Sequence, residues 1–429
     1  MEDWKHLHSQ SKVVDLHSHP GLKMSLFGRD FASSKLRPLS NVFTSSFWPM
    51  SVRTNFDKLD PGGVDAQLAT VYIPEEQWFD DFPILKALRF VTPRVRKFLK
   101  QSYYDATIAN MNLLEAQVSR FNAKRVSEPH ELRPRRLRVV KSPSALQSAI
   151  DDNEVALIHS VEGAHSLQGD CWDKVLKPDL VPSTVMQSEI FMNLDDLAKR
   201  GVAYLTLAHF YPNCCVSSPC FPYPGYSFTF IKKAGLFDKW DHTKGLSKLG
   251  EEVVEKMIDL GMIVDITHLT PVARKRVYEI VDTTFARQDH AVIASHVGAH
   301  SINPDPYCLH DWELKWLADH ECVAGVIFMN YWLSPVDTPL GIKYLIETIK
   351  HMAKVGSWRV VSLGTDFDGF TDPPDEIKDM SELPRLTREL ASLHFDALNK
   401  SRLFTDQQIK DMLGGNALRV LTNGWTGVK

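Results

Sequence analysis

The sequence has few cysteines for its length and no long apolar run. Its 429 residues include six cysteines, too few for a disulfide framework in a chain of this size. No stretch is long and apolar enough to cross a membrane, and no low-complexity tract interrupts the chain. Hydrophobic residues make up 44% of the chain and charged residues 24%, so we expect an ordinary globular protein with a large core.

An excess of positive charge is also missing. The formal net charge is −4, so we expect no basic field that would attract nucleic acid or an anionic membrane surface. The first residues, MEDWKHLHSQSK, lack the apolar core of a secretory signal, and the last, LTNGWTGVK, lack a lipid-anchor tail. We therefore predict a cytoplasmic protein without a membrane anchor, whose partners are small molecules or peptides.

Three of the six cysteines, Cys214, Cys215 and Cys220, lie together in the stretch NCCVSSPC. Such a cluster could be a thiolate metal site or a disulfide staple. No fourth ligand stands at zinc-finger spacing, which favours ordinary loop thiols.

Eight short runs rich in β-branched residues are spaced along the chain, with helical patterns between most of them. They lie at 13–19, 66–74, 154–163, 202–210, 262–269, 291–299, 323–330 and 360–370. Strand–helix alternation predicts parallel pairing, and near-continuous apolar runs indicate strands buried on both faces. We therefore predict an α/β protein with a TIM-like (β/α)8 barrel, a single domain over residues 1–429.

Two long irregular segments interrupt the alternation, at 20–62 after the first strand and at 211–240 after the fourth. Both follow the carboxyl ends of strands, where barrel enzymes place the loops that build their sites. Near the end of the chain, Gly414 and Gly415 interrupt the apolar face of a predicted helix. They allow either close packing or a break between two helices.

Residue types that bind metals or transfer protons end six of the eight predicted strands. They are His17 and His19 on the first, Glu162 on the third, His209 on the fourth, His268 on the fifth, His296 on the sixth and Asp366 on the eighth. One histidine at a strand end is more often a hydrogen-bonded rim residue than a ligand. Six such ends on one barrel rim favour a functional site.

The residue types themselves indicate the chemistry. Four of the imidazoles, with one or two carboxylates, suit Zn, Mn, Co or Fe, and they include no thiolate that would favour a closed structural site. The ligand set is His17, His19, His268 and His296 with Glu162 and Asp366. The set is large enough for two ions, and a carboxylate such as Glu162 can bridge ions about 3.5–4 Å apart. Water between two such ions loses a proton near neutral pH. We therefore predict two divalent metal ions, with zinc the expected metal, and hydrolytic chemistry.

Two further aspartates lie close to these residues. Asp265 stands three before His268, on the opposite face of a regular strand, so we expect His268 just past the strand end. Asp265 would then line the barrel or orient a ligand. Asp368, two residues after Asp366, would face the same side and is our second candidate for the catalytic carboxylate.

Several stretches, taken in order, resemble the renal or membrane dipeptidases, peptidase family M19, within the amidohydrolase-like group. They span residues 15–420 and read DLHSHPG, VEGAHSL, RGVAYLTLAHF, DITHLT, ASHVGAHSI, LGTDFDG and GGNALRV. The resemblance implies a barrel metallopeptidase that hydrolyses dipeptides, including ones with a D-residue at the carboxyl side. It also implies a homodimer, since many members form one.

Residue by residue, the resemblance implies that His17 and His19 bind one zinc and that His268 and His296 bind the other. Glu162 would bridge the two ions and hold a metal-bridged hydroxide between them.

Two other residues receive roles from the same resemblance. His209 would bind the substrate carbonyl and the oxyanion that develops from it. Asp366 would act as the acid/base beside the bridging water. We therefore expect amide hydrolysis in a dipeptide or a small peptide-like substrate.

The sequence departs from the family pattern at two places. The usual first motif is His-x-Asp, whereas this chain has His17-Ser18-His19, which removes one negative charge from the ligand set. The usual Arg-Asn pair after the sixth-strand motif, whose arginine holds the dipeptide carboxylate, is replaced by Tyr307 and Cys308. Tyr307 is therefore our candidate substrate-binding residue at that position. A basic loop residue such as Arg29, Lys232 or Lys233 could replace the arginine.

Loss of that arginine removes a charge-assisted hydrogen-bonded fork worth about 1.5–3 kcal/mol. Two alternatives to a dipeptidase therefore stay open. One is another amidohydrolase reaction, such as hydrolysis of a lactone, a cyclic amide or an acyl-amino acid. The other is a non-catalytic metal-binding scaffold whose long loops bind a partner protein, although Asp366 argues against it because a scaffold needs no acid/base residue.

Overall fold

The computed structural model describes residues 3–32, 52–81, 86, 92–129, 133–176, 180–220, 241–334, 341–369, 371–394 and 401–427. These residues include nine strands in one sheet, all paired in parallel. Their bounds are β1 Val13–Ser18, β2 Val64–Tyr72, β3 Leu137–Val140, β4 Val155–Glu162, β5 Tyr204–Thr206, β6 Ile263–Asp265, β7 Val292–Val297, β8 Val323–Ile327 and β9 Val361–Gly364.

Eight of the strands close into a barrel. The order around the ring is β1, β2, β4, β5, β6, β7, β8 and β9, and β9 pairs again with β1. Every residue of these eight strands is buried, as expected for strands covered on both faces. The predicted TIM-like (β/α)8 barrel is confirmed, and each of the eight predicted runs overlaps one barrel strand.

The ninth strand, β3, was not predicted. Its four residues pair with the first half of β4, from Val155 to Ile158, whereas β5 pairs only with Val161 and Glu162 at the other end. β3 therefore lies beside β4 where β5 does not reach. Its middle residues are only half-buried and include Arg138, so the run lacks the continuous apolar character of the barrel strands.

Helices connect the strands on the outside of the barrel. Their bounds are α1 Asp3–Ser9, α2 Pro20–Phe27, α3 Glu76–Asp81, α4 Pro93–Leu99, α5 Tyr103–Arg125, α6 Pro143–Asp151, α7 Thr184–Lys199, α8 Lys248–Asp259, α9 Pro271–Thr283, α10 Asp311–Asp319, α11 Asn330–Leu333, α12 Lys343–Gly356, α13 Pro384–Ser392, α14 Asp406–Lys410 and α15 Asn416–Gly424. Hydroxyl side chains cap the amino ends of six of them by accepting a backbone N–H: Ser102, Ser142, Ser183, Ser247, Thr270 and Thr405.

The two adjacent glycines near the carboxyl end have different surroundings. They lie in a wide π turn, Asp411–Gly415, that joins α14 to α15 without breaking the helical path. A Cβ atom on Gly414 would lie 2.2 Å from the carbonyl oxygen of Lys12, just before β1. Gly414 therefore permits close packing of this helix on the barrel, whereas the nearest atom to a Cβ on Gly415 would be a carboxylate oxygen of Asp411, at 3.0 Å.

Long connections follow the first and fourth barrel strands, but the predicted irregular segment at 20–62 begins with a helix, α2. Of that segment and the one at 211–240, residues 33–51 and 221–240 lie outside the described residues. The chain runs from Ser18 to Val64 between β1 and β2, and from Thr206 to Ile263 between β5 and β6. Lys232 and Lys233 lie outside the described residues. All six cysteines are free thiols, and Cys214, Cys215 and Cys220 are buried, in agreement with loop thiols. Of the helices in the ranges given above, none is long and apolar enough to span a bilayer.

Candidate metal centre

The seven side chains predicted from the strand ends all lie at the carboxyl end of the barrel, and all are buried. Three of them, His17, Glu162 and His296, belong to β1, β4 and β7. The other four follow strand ends in the chain: His19 after β1, His209 after β5, His268 after β6 and Asp366 after β9. Parallel strands deliver their carboxyl ends to one rim, which explains how residues so distant in sequence meet.

Glu162 lies at the centre of the group. Its Oε1 is 3.4 Å from Nε2 of His17, 3.2 Å from Nε2 of His268 and 3.5 Å from Nε2 of His296. Its Oε2 is 3.4 Å from Nε2 of His19. The Glu162 carboxylate thus lies within 3.5 Å of all four imidazoles, with three of them at its Oε1 and one at its Oε2.

The imidazole nitrogens also lie close to each other. Nε2 of His17 is 3.0 Å from Nε2 of His19, and Nε2 of His268 is 3.2 Å from Nε2 of His296. These are the two pairs that the family resemblance assigns to separate ions. In each of three groups of residues, one ligand atom per residue lies within 4.8 Å of the others. The groups are His17, His19 and Asp366; His17, Glu162 and His296; and Glu162, His209 and His268.

This donor set fits divalent cations. Burial, and then the neighbouring imidazoles, hold the pKa of His17 and of His296 well below the usual range. Burial likewise lowers the pKa of His268 to about 4, although nearby carboxylates raise it. These lowered pKa values favour the neutral form of the three imidazoles, whose nitrogen lone pairs can bind a metal. Burial also raises the pKa of Glu162 to about 7, a cost that a nearby cation would offset.

Buried polar side chains form hydrogen bonds with two of the predicted ligands, His17 and His296. Oδ2 of Asp265 is 2.6 Å from the Ser295 hydroxyl, which lies 2.9 Å from Nδ1 of His296 and 3.2 Å from Nδ1 of His17. The Tyr204 hydroxyl is 2.8 Å from the same nitrogen of His17. These contacts favour the orienting role of Asp265, through Ser295, over that of a residue that only lines the barrel, and this role stays a prediction. Sequence reasoning missed Ser295 and Tyr204.

Asp366 and Asp368 have different environments. Oδ1 of Asp366 is 3.2 Å from Nε2 of His19. Asp368 instead forms a buried ion pair with Lys23 at 2.7 Å and accepts the backbone N–H of Thr54 at 2.9 Å. Strand alternation does not extend to this segment, because β9 ends at Gly364 and both aspartates have a positive φ. The contacts of Asp368 therefore favour a structural role over that of second candidate acid/base.

A sequence model of the membrane dipeptidase family, peptidase family M19, matches residues 1–175 and 187–424. This chain belongs to that family. The resemblance stated from the sequence is confirmed, and with it the class of metallopeptidase and hydrolase at the level of the family.

Curated relatives of this M19 chain include an uncharacterized dipeptidase of Schizosaccharomyces pombe. It is 30% identical over 269 residues, which are 62% of this chain and 53% of that protein. An uncharacterized protein in the pqqA 5′ region of Klebsiella pneumoniae is 32% identical over 190 residues, 43% of this chain and 63% of that protein. Each match thus covers less than two thirds of the relative.

Solved structures share the fold over nearly the whole length. The probable dipeptidase PvdM from Pseudomonas aeruginosa has a TM-score of 0.67 at 17% identity, covering 99% of this chain and 98% of its own. A metallopeptidase from Rhodobacter sphaeroides, liganded with a phosphinate mimic of the dipeptide L-Ala-D-Ala, has a TM-score of 0.65 at 17% identity, covering 97% and 99%. Likeness at this identity shows the shared barrel.

Tyr307, which we predict at the position of the usual M19 arginine, lies beside two of the predicted metal ligands, His268 and His296. Its hydroxyl donates to the backbone carbonyl of His296, and its ring stacks on Trp332 with centroids 3.9 Å apart. The ring centroid of His268 is 5.2 Å away. Arg274, whose guanidinium bonds the carbonyls on either side of Tyr307, is held by Glu313 at 2.6 Å and 2.9 Å. The role of Tyr307 in substrate binding stays a prediction.

His209, the predicted substrate-binding histidine of this M19 chain, has a carboxylate partner that the sequence did not reveal. Glu75 lies 3.3 Å from Nδ1 of His209, and Nε2 of the same ring is 3.9 Å from Oε2 of Glu162. Burial raises the pKa of Glu75, but the charges of His209 and His165 outweigh it and lower that pKa to about 2. Glu75 immediately precedes Glu76, the first residue of α3, and acidic residues are common near a helix start for helical reasons alone.

Proposed function

We propose that this chain is a binuclear zinc-dependent dipeptidase that cleaves the amide bond of dipeptides or small peptide-like substrates. The observation that carries the proposal is the single buried carboxylate of Glu162 between two pairs of imidazoles. Membership of the M19 family supports it. So does the Rhodobacter sphaeroides peptidase of the same fold, whose ligand mimics a dipeptide.

Five residues would hold the ions. His17 and His19 would bind one, His268 and His296 would bind the other, and Glu162 would be shared between them. Bound there, the two ions would polarise the scissile carbonyl and lower the pKa of a water molecule so that it can attack.

Two residues of the chain would handle the proton and the carbonyl oxygen. Asp366 is buried at the barrel rim, where Nε2 of His19 lies 3.2 Å from its Oδ1 and 3.4 Å from Oε2 of Glu162. It would accept the proton released by the attacking water and deliver it to the leaving amine, so that the amide bond breaks with no net proton change on the enzyme. His209 would bind the carbonyl oxygen with its Nε2, the ring nitrogen that faces Glu162.

The lack of the usual arginine, which would hold a substrate carboxylate, favours a second candidate function. In the described part of the chain, the ion-pair partners of Glu162 and Asp366 are histidines, and the hydroxyl of Tyr307 is engaged with a backbone carbonyl. A substrate without a free carboxyl group would not need the missing arginine. The second candidate is therefore the other amidohydrolase reaction, in its forms without a free carboxylate, which are lactone and cyclic-amide hydrolysis at the same centre.

Hydrolysis of a substrate panel, followed as amine release for the peptides and amides and as acid release for the lactones, distinguishes the candidates. The protein, loaded with zinc or manganese, is incubated with dipeptides, their carboxyl-terminal amides, N-acyl amino acids, lactones and cyclic amides. Cleavage of free dipeptides but not of their amides supports the dipeptidase. Cleavage only of substrates without a free carboxylate supports the second candidate, and tight metal binding without any turnover supports the scaffold.

A single variant assigns any observed turnover to this centre. His296→Ala should bind one ion fewer and lose nearly all activity while its circular dichroism spectrum stays that of the parent. An unaltered turnover number in that variant would exclude this site as the source of the activity. The homodimer and the cytoplasmic location stay predictions.

A further inference from the structure

A cavity of about 460 Å³ lies between α2, α4 and α5. Its described lining includes none of the seven predicted site residues, so it is separate from the candidate metal centre. The volume falls within the range of ordinary small-molecule sites. The charged side chains that line it are one carboxylate, Asp30, and four cations, Arg29, Arg94, Lys97 and Arg120.

Most of this positive charge is not balanced by the protein. Within the described residues, Asp30 pairs with Arg120 at 2.5 Å and lies 4.0 Å from Nζ of Lys124, so its single charge is already shared. The other three cations of the cavity have no acidic partner in that part of the chain. Nε of Arg29 is also buried there without a hydrogen-bond acceptor, a cost that a bound anion would offset.

The backbone at the end of α2 brings two of the guanidinium groups to one turn. Gly28 follows the helix with a φ of 62°, and its N–H donates to the carbonyl of Met24 at 3.0 Å. The next N–H, that of Arg29, donates to the carbonyl of Lys23 at 3.2 Å. A Cβ atom on Gly28 would lie 2.4 Å from a terminal nitrogen of Arg94, so glycine lets that guanidinium lie against the turn. Like charges held this close are stabilised by an anion between them.

Uncharged side chains form the rest of the cavity wall. Asn110 on α5 donates its Nδ2 to the carbonyl of Gly21 at 3.3 Å and to the hydroxyl of Ser25 at 3.2 Å, which ties α5 to α2. Met24 and Leu113 add apolar surface. The cavity is therefore larger than a bare inorganic anion needs, and it has an apolar part beside the cations.

We propose that this cavity binds a small organic molecule through its phosphate group. A phosphate monoester carries about 1.5–2 negative charges at pH 7 on three acceptor oxygens, so one group can pair with several cations, whereas a carboxylate offers a single charge. Guanidinium groups match phosphate oxygens in geometry as well as in charge. The apolar and amide walls would contact the organic part. Arg29, which we considered as a replacement for the M19 arginine, would serve this second site instead.

Calorimetric titration of the zinc-loaded protein with phenyl phosphate tests the proposal. The double variant Arg29→Gln/Arg94→Gln should bind this probe more weakly than the parent by about 10-fold or more, because it loses charge-assisted hydrogen bonds. Lys275→Gln/Arg388→Gln is the matched control, since it removes two exposed cations from α9 and α13 that do not line the cavity, and it should leave Kd unchanged. An equal loss of affinity in both double variants would mean that net charge alone attracts the probe. The same Kd in the parent and the cavity variant would mean that the probe binds elsewhere, for example at the metal centre. Either result overturns the proposal.

Two related probes test the chemical class of the ligand. Phenyl sulfate has a similar shape but one negative charge, so it should bind more weakly than phenyl phosphate, and equal affinity would refute the need for a dianion. Inorganic phosphate lacks the organic part and should also bind more weakly, and equal affinity would refute a phosphorylated organic ligand. Should the double variant not fold, Arg94→Gln decides alone, because that side chain is exposed and its loss should still weaken the binding of phenyl phosphate by about 10-fold or more.

Discussion

Ser295 is the residue through which a buried carboxylate reaches two predicted metal ligands. Its hydroxyl lies between Asp265 and the Nδ1 atoms of His296 and His17. Ser295→Ala removes that link without touching a ligand atom, so we expect metal affinity to fall by about 10–100-fold. Titration with zinc should then restore most of the activity at higher metal concentration.

A matched serine controls for the loss of a buried hydroxyl. Ser362 on β9 is fully buried, and its hydroxyl makes no hydrogen bond within the described residues. Ser362→Ala should therefore leave the zinc dependence unchanged. If both variants gave the same zinc dependence as the parent, Ser295 would have no orienting role.

The residues that sequence analysis identified share a property that Glu75 and Ser295 lack. His17, His296 and Glu162 end apolar strands, where a polar residue type stands out against its surroundings. Glu75 stands next to Glu76 in a helix start, and Ser295 is a small residue inside a strand, so neither is distinguishable by type or spacing. What sets them apart is their contacts in the folded chain. Glu75 contacts His209, 134 residues away in the sequence, and Ser295 contacts His17, 278 residues away.

At the scale of elements, the two glycines of the π turn provide a direct comparison. Gly414→Ala would place a methyl group against the rigid backbone of Lys12, so we expect it to destabilise the protein by about 1–3 kcal/mol. Gly415→Ala comes closest to the movable end of Asp411, at 3.0 Å, and replaces a glycine in helical backbone, so it should leave stability unchanged or raise it by up to about 1 kcal/mol. Urea unfolding of the two variants measures both values. Equal destabilisation would show that helix geometry, not close packing on β1, requires these glycines.

The strands could be predicted because the barrel buries them completely, which forces a continuous apolar sequence. β3 could not, since it is half-buried and pairs only with the start of β4. The directions of side chains in the segments that follow the strands were harder still to predict. His268, Asp366 and Asp368 all have a positive φ, so the alternation that relates side chains along a strand gave the wrong side for Asp368.

At the scale of the whole molecule, the candidate centre joins six of the eight barrel strands. Its residues come from β1, β4 and β7 and from the segments after β5, β6 and β9, so ions bound there would cross-link most of the barrel rim. A ligand present at 100 times its Kd stabilises the folded state by about 2.7 kcal/mol. Removal of metal with a chelator should therefore lower Tm, and zinc should restore it.

The size of that shift should depend on Glu162, the residue shared by both ion positions. Glu162→Gln keeps the shape of the side chain but removes its charge, so zinc should raise the Tm of this variant less than it raises that of the parent. The comparison requires metal-free protein, verified by elemental analysis, and scanning calorimetry with and without zinc. The same Tm shift in the parent and the variant would mean that zinc stabilises the fold from another site. No shift in either would mean that the barrel rim needs no ion for its stability.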